Sequence, residues 1–177
     1  MSRKKSSSLY YDAWPTAWGP VGAAAGQGGL TAFVLPGYSM DDLLSLLAWE
    51  HSKAQRDAAA FEQVRELTRG YFNAEPVDFS PVPCELPAES TFGGKVLRAC
   101  RRIGYGETIS YSGLARRIGR EDAARAVATA LGKNPIPLVV PCHRVLYSDG
   151  RLGGFSAMGG AELKRRMLAQ EGNRARR

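Results

Sequence analysis

No apolar run in this chain approaches the roughly eighteen residues that would cross a membrane, so no membrane partner is expected. Cysteine and histidine are scarce as well, three and two in 177 residues. An odd number of cysteines, behind a basic start (MSRKKSSSLYY) with no apolar export segment, suits reduced thiols rather than a disulfide frame. A cytoplasmic location follows as the expectation. So few ligands also argue against zinc: Cys142 and His143 are adjacent, but nothing near them supplies the two further ligands of a tetrahedral site. His51 has no second ligand at metal spacing, and the glycines of GQGG lack the Lys-Ser/Thr of a phosphate loop. No metal and no cofactor is expected. Cys84 and Cys100 read as packing or surface thiols.

What the chain has in excess is positive charge, and it is unevenly placed. Residues 1–90 carry seven lysines and arginines against eleven acidic residues, whereas residues 91–177 carry seventeen against six. The net +7 therefore belongs to the C-terminal half, which is the half expected to seek an acidic partner such as nucleic acid. Composition divides the chain at the same place. Pro76, Pro81, Pro83 and Pro87 crowd into twelve residues, which forbids a helix and suits an extended surface linker. The organisation expected is a solvated basic tail over 1–8, an α/β unit over 9–75, a linker over 76–90, a second domain over 91–172 and a basic tail over 173–177.

In the first unit, TAFVLPG reads as a strand closed by Pro-Gly, and the glycine-rich GPVGAAAGQGG before it as a turn joining two strands. The stretch from Ser39 to Phe72 has helical spacing with acidic residues near its start. This unit shows no chemistry of its own.

The second unit is more regular. Phe92, Val96, Leu97, Cys100 and Ile103 fall at helical period, ending at Gly104. Ser110 is placed to cap a helix carrying Leu114 and Ile118, and after GREDA a further helix buries Ala124, Val127, Ala128 and Leu131. Two short helices joined by a few residues suggest a helix-turn-helix. The outer face of the second runs Arg125, Ala126, Thr129, Ala130, Lys133. Readout of the major groove uses long donors such as Arg, Asn or Gln, which the middle of this face lacks. Small side chains instead allow close approach to a minor groove, giving weakly sequence-specific binding of duplex DNA, with Arg125 placed to enter the base stack.

The chemistry is concentrated in NPIPLVVPCHRVLYSDGRLGGFS, residues 134–156. PLVV is a buried strand candidate, and Pro141 sets the backbone before Cys142. A thiol reacts as thiolate, and from an ordinary pKa of about 8.5 it needs a base or cation nearby at neutral pH. His143 is next in sequence, but neighbours on a strand point to opposite faces, so a turn or bridging water would have to link them. Glu171 is the group placed to orient the histidine, three residues beyond Leu168 on the inner stripe of the last helix.

PCHRV preceded by NP, with YGETISYSGLARRIG and AARAV upstream and GRLGGFS downstream, resembles the methylated-DNA–protein-cysteine methyltransferases, or O6-alkylguanine-DNA alkyltransferases. The likeness spans residues 92 to about 172. It implies a small ribonuclease-H-like α/β domain followed by a mainly helical, winged-helix-like domain. It also implies repair of DNA, as a monomer, by irreversible transfer of an alkyl group from flipped-out O6-alkylguanine to Cys142. On that resemblance His143 is a water-bridged base and Glu171 the carboxylate that polarises it. Asn134 ties the active-site turn to the helix-turn-helix, and Tyr111 donates to the purine N3. Arg125 fills the space of the extruded base, with Ala126, Thr129 and Lys133 beside it on the DNA face. Pro137, Val145, Phe155 and Ser156 line the pocket. The location implied is nucleoid-associated, or nuclear in a eukaryote.

Several positions depart from the family pattern. Gly93 and Leu97 change the FQxxVW helix, Phe155 stands where many members carry tyrosine, and SAMGGAELK is two residues longer than the shorter S-G-G-x-x-x-K form, at Ala157 and Met158. Two other classes use some of the same residues. A cysteine hydrolase would employ Cys142, His143 and Glu171 with turnover. A non-catalytic lesion sensor or regulator would need only the helix-turn-helix.

Overall fold

The computed structural model describes residues 8–172, so the tail expected at 173–177 and residues 1–7 of the first tail lie outside the described residues. Ser8, the last residue of the expected first tail, is buried just before the first strand, and its hydroxyl meets Thr31 Oγ1 at 2.7 Å and His51 Nδ1 at 3.0 Å.

The fold is mixed α/β. Strands β1 (Tyr10–Trp14), β2 (Val21–Gly26) and β3 (Gly29–Val34) form an antiparallel meander. Helix α1 (Met40–Glu50) crosses it, and β4 (Gln55–Arg56) returns parallel to β1, giving the order β3-β2-β1-β4. GPVGAAAGQGG is thus mostly strand, and the turn is confined to Gln27 and Gly28. Helix packing explains the composition: a β-carbon on Gly22 would lie 2.7 Å from Leu47 Cδ1 of α1, so small residues here make room for a helix.

The helical run expected from Ser39 to Phe72 is two helices. Ser39 caps α1 by accepting from the Asp42 amide, and β4 and a 3-10 turn at Ala59–Phe61 separate it from α2 (Glu62–Phe72). Residues 76–90 contain no helix, as their prolines require. They are not all surface, however, because Phe79 and Val82 are buried in the core.

The C-terminal half comprises α3 (Phe92–Arg101), β5 (Ile109–Ser110), α4 (Tyr111–Arg117), α5 (Ala124–Leu131), β6 (Val145–Leu146) and α6 (Gly160–Gln170). Ser110 caps α4, its hydroxyl accepting from the Gly113 amide at 2.9 Å. The expected stripes meet: Val96, Leu97 and Cys100 of α3, Leu114 of α4, and Val127 and Leu131 of α5 are all buried. Strand β5 pairs with β6 in parallel, which seats the start of α4 beside the 142–146 segment. One hydrophobic core runs through both halves, from Trp14, Phe33 and Tyr71 to Leu114 and Met167.

Candidate active site

The site begins at the end of α5, where Asn134 is buried. Its Nδ2 donates to the Val140 carbonyl at 2.8 Å and reaches Cys142 Sγ at 3.2 Å, and its Oδ1 accepts from the Ile136 amide at 3.0 Å. Leu138, Val139 and Val140 of PLVV are buried as expected, but the stretch is a tight turn rather than a strand. Leu138 takes φ +76°, the Val140 amide bonds the Ile136 carbonyl at 2.9 Å, and only an isolated bridge joins Pro137 to Val140. The turn satisfies its polar groups through Asn134 and itself, so it has no need of a sheet neighbour. Cys142–Arg144 then form a 3-10 turn.

His143 is fully buried, and its Nε2 lies 2.7 Å from Glu171 Oε1. An ionised carboxylate only accepts, so Nε2 carries the proton and Nδ1 keeps a lone pair. Nδ1 is buried with no hydrogen-bond partner among the described residues. Glu171, just past the end of α6, is crowded with donors. Arg144 bonds it from Nε at 2.8 Å and Nη2 at 3.0 Å, Tyr71 Oη donates at 2.9 Å, and the Gly106 amide lies at 3.2 Å. Burial alone would raise its pKa, but the His143 and Arg144 bonds prevail and lower it to about 2. Burial lowers that of His143, against the pull of Glu171, so the imidazole is a neutral base.

Cys142 is 7% exposed. Burial pushes its thiol up, opposed by the Asn134 hydrogen bond and by Lys164. Sequence reasoning missed Lys164, a fully buried lysine whose Nζ donates to the Val145 carbonyl at 2.7 Å and stands 3.5 Å from Tyr111 Oη. Burial lowers its pKa to about 8, opposed by Cys142 and Cys100. The signal was present in the spacing, since Lys164 and Leu168 share one stripe of α6 and Glu171, seven residues after Lys164, continues it just past the helix end. Arg144 and Tyr71 were missed too. Tyr71 shares a buried stripe of α2 with Val64 and Thr68, but nothing local connects it to Glu171.

Tyr111, Ala128, Leu131, Gly132, Cys142, Gly154, Phe155 and Ser156 surround a space of about 10 Å³. Phe155 and Ser156 are among the residues around it. Pro137 sits at the bridge of the 134–140 turn, and Val145 is fully buried with its carbonyl accepting from Lys164. Burial raises the Tyr111 pKa to about 12, helped by Tyr147, whose ring centroid is 5.3 Å away. On the outer face of α5, Arg125, Ala126 and Thr129 are exposed, as is Lys133 just beyond it, with Thr129 Oγ1 bonded to the Arg125 carbonyl at 3.1 Å.

A buried thiol bonded to Asn134 just beyond α5, followed in sequence by a histidine paired with a buried glutamate, marks this helical half as the place where the chain could carry thiol chemistry. Comparison with known proteins makes the class specific. Residues 91–173 match the 6-O-methylguanine DNA methyltransferase DNA-binding domain. The chain is 42% identical over 117 residues to the methylated-DNA–protein-cysteine methyltransferase of Haemophilus influenzae, the match covering 66% of this chain and 64% of that protein, a little under two thirds of its length. It is 42% identical over 120 residues to the protein of the same name from Mycobacterium tuberculosis, covering 67% of this chain and 70% of that one. The structure of Mycobacterium tuberculosis OGT in complex with DNA superposes with a TM-score of 0.76 at 32% identity, over 94% of this chain and 95% of that one. The chain belongs to the methylated-DNA–protein-cysteine methyltransferase family.

Proposed function

We propose that the protein binds duplex DNA containing O6-alkylguanine, flips the damaged nucleotide out of the stack and transfers its alkyl group to Cys142. The observation that carries this reading is the surroundings of Cys142: the residue borders the space between α5 and residues 154–156, while the Glu171 bond leaves the adjacent His143 with an available Nδ1 lone pair. The O6 substituent lies inside a duplex, so extrusion must precede attack. The Cys142 proton passes through a water to His143 Nδ1, and the thiolate attacks the alkyl carbon in line. The sulfur–carbon bond forms as the carbon–O6 bond breaks. Guanine leaves with a proton at N3 supplied by Tyr111, which its raised pKa keeps protonated at neutral pH. Lys164, 3.5 Å from the phenol oxygen, offsets the charge left there. A thioether has no ready hydrolytic exit, so each molecule acts once.

The rest of the reading follows from the same parts. Arg125 fills the gap in the stack, the small face of α5 approaches the minor groove, and Asn134 couples that helix to the Cys142 turn. The meander with α1 and a parallel β4 supports a ribonuclease-H-like N-terminal domain over residues 9–75, joined by 76–90 to a winged-helix-like domain over 91–172. The protein acts as a monomer in the compartment that holds the DNA. No described helix is long and apolar enough to cross a membrane.

The test is to incubate the protein with a duplex carrying O6-methylguanine and weigh it intact. One methyl per molecule, located on Cys142 and lost in Cys142→Ala, supports the reading. Turnover points to a hydrolase, and binding with unchanged mass to a lesion sensor.

A further inference from the structure

The space beside Cys142, about 10 Å³, has room for on the order of one water. An alkylated purine needs far more, so one wall must move. Leu131 and Cys142 are parts of the buried core, and Tyr111 is buried at the start of α4. Gly154, Phe155 and Ser156 belong instead to a segment without regular structure between β6 and α6, and this is the wall free to yield.

That segment is pinned on both sides of the wall. At Gly153 a β-carbon would fall 2.0 Å from Tyr111 Oη, so the backbone lies directly on the phenol. At the other end the Met158 side chain lies across Gly37, where a β-carbon would meet Met158 Cβ at 2.8 Å and Cγ at 3.0 Å. The first anchor is inside the C-terminal half. The second crosses to the turn between β3 and α1, where Gly37 has φ +152°.

We propose that Met158, seated on Gly37, is a positioning residue that sets which O6 substituents the site accepts. The proposal rests on the alkyl-transfer reading. Met158 is 48% exposed, so the contact is light enough to release on binding, and a flexible thioether can slide over a glycine backbone without a fixed geometry. O6-methylguanine moves residues 154–156 only as far as the base itself demands. A benzyl group adds a ring beyond that movement and breaks the Met158–Gly37 contact, so the latch selects against bulk.

Single-turnover rates with two duplexes test this, one carrying O6-methylguanine and one O6-benzylguanine, in the wild type, Met158→Ala and Met158→Leu. Met158→Ala should raise the benzyl-to-methyl rate ratio about fivefold, the effect of releasing roughly half a methionine side chain. Met158→Leu, which still covers Gly37, should stay within about twofold of the wild type. Thermal melting of each variant checks that the fold is kept, as a half-exposed side chain predicts. An unchanged or lowered ratio in a folded Met158→Ala overturns the latch while leaving alkyl transfer intact. A wild type that transfers neither group to Cys142 sinks both readings.

Discussion

Tyr71 Oη donates a 2.9 Å hydrogen bond to Glu171 Oε1 across one hundred positions of sequence. The bond is buried, the Tyr71 ring lies edge-on to His143 at 6.5 Å, and Gln170 Nε2 returns a bond to the Tyr71 carbonyl at 2.6 Å. The N-terminal half thereby holds the carboxylate that is bonded to His143.

Tyr71→Phe keeps the ring and removes this bond. A hydrogen bond to a buried charge contributes about 2 kcal/mol, so the melting temperature should fall by roughly 4–8 °C. Alkyl transfer should slow as well, because Glu171 is less firmly held. Calorimetry and single-turnover kinetics on the same preparation check both, and an unchanged melting temperature would mean the bond contributes nothing.

Glu171 makes stability depend on acid. Its pKa is about 2 in the folded protein against an ordinary 4.5. A depressed carboxylate stabilises fully above the unfolded value, and the contribution fades as pH falls from about 4.5 towards 2. The difference corresponds to about 3 kcal/mol at neutral pH. Urea unfolding of the wild type and Glu171→Gln at pH 6 and pH 2.5 should show the gap between them narrowing by most of that amount.

Lys164 works in the opposite direction. Its pKa is about 8 in the folded protein against 10.5 ordinarily, so between those values the unfolded chain binds more protons and this group's contribution improves as pH rises. Relative to Lys164→Met, the wild type should gain up to about 3 kcal/mol between pH 7.5 and 10.5. The variant should also transfer alkyl groups more slowly, having lost the cation that lowers the Cys142 pKa. A parallel pH dependence in the two proteins would remove Lys164 from this account.

Asn134→Ala deletes contacts to Ile136, Val140 and Cys142 together. With buried backbone groups left unpaired, a loss of about 2–4 kcal/mol is expected, together with a large fall in transfer rate. Asn134→Asp keeps the acceptor for the Ile136 amide while losing the donor to sulfur, so it should recover part of the stability but little of the rate.

Arg125→Ala should slow reaction with O6-methylguanine in duplex DNA far more than reaction with the free base O6-benzylguanine, since only the duplex requires extrusion. Equal losses on both would rule out the role in filling the stack. Duplex binding should also weaken steeply with added salt, as lysines and arginines release counterions from phosphate.

The local features of this protein were legible in its residues because they depend on short spacings. Period 3.6 placed Val96, Leu114, Val127 and Leu131 on inner faces, Ser110 announced the start of α4, and the stripe through Leu168 turned Glu171 inward towards a histidine adjacent to the only cysteine flanked by Pro and His. Periodicity says which side of an element is buried but not what it is buried against. The tertiary structure therefore decided the rest. It made a strand of the alanine-glycine run because α1 packs close to Gly22, and it folded PLVV into a turn because Asn134 answers its backbone. It gathered Arg144, Tyr71 and His143 on one carboxylate, and buried Lys164 among Cys142, Tyr111 and the Val145 carbonyl. Those arrangements depend on hydrogen bonds and burial between residues tens of positions apart, which no local pattern encodes.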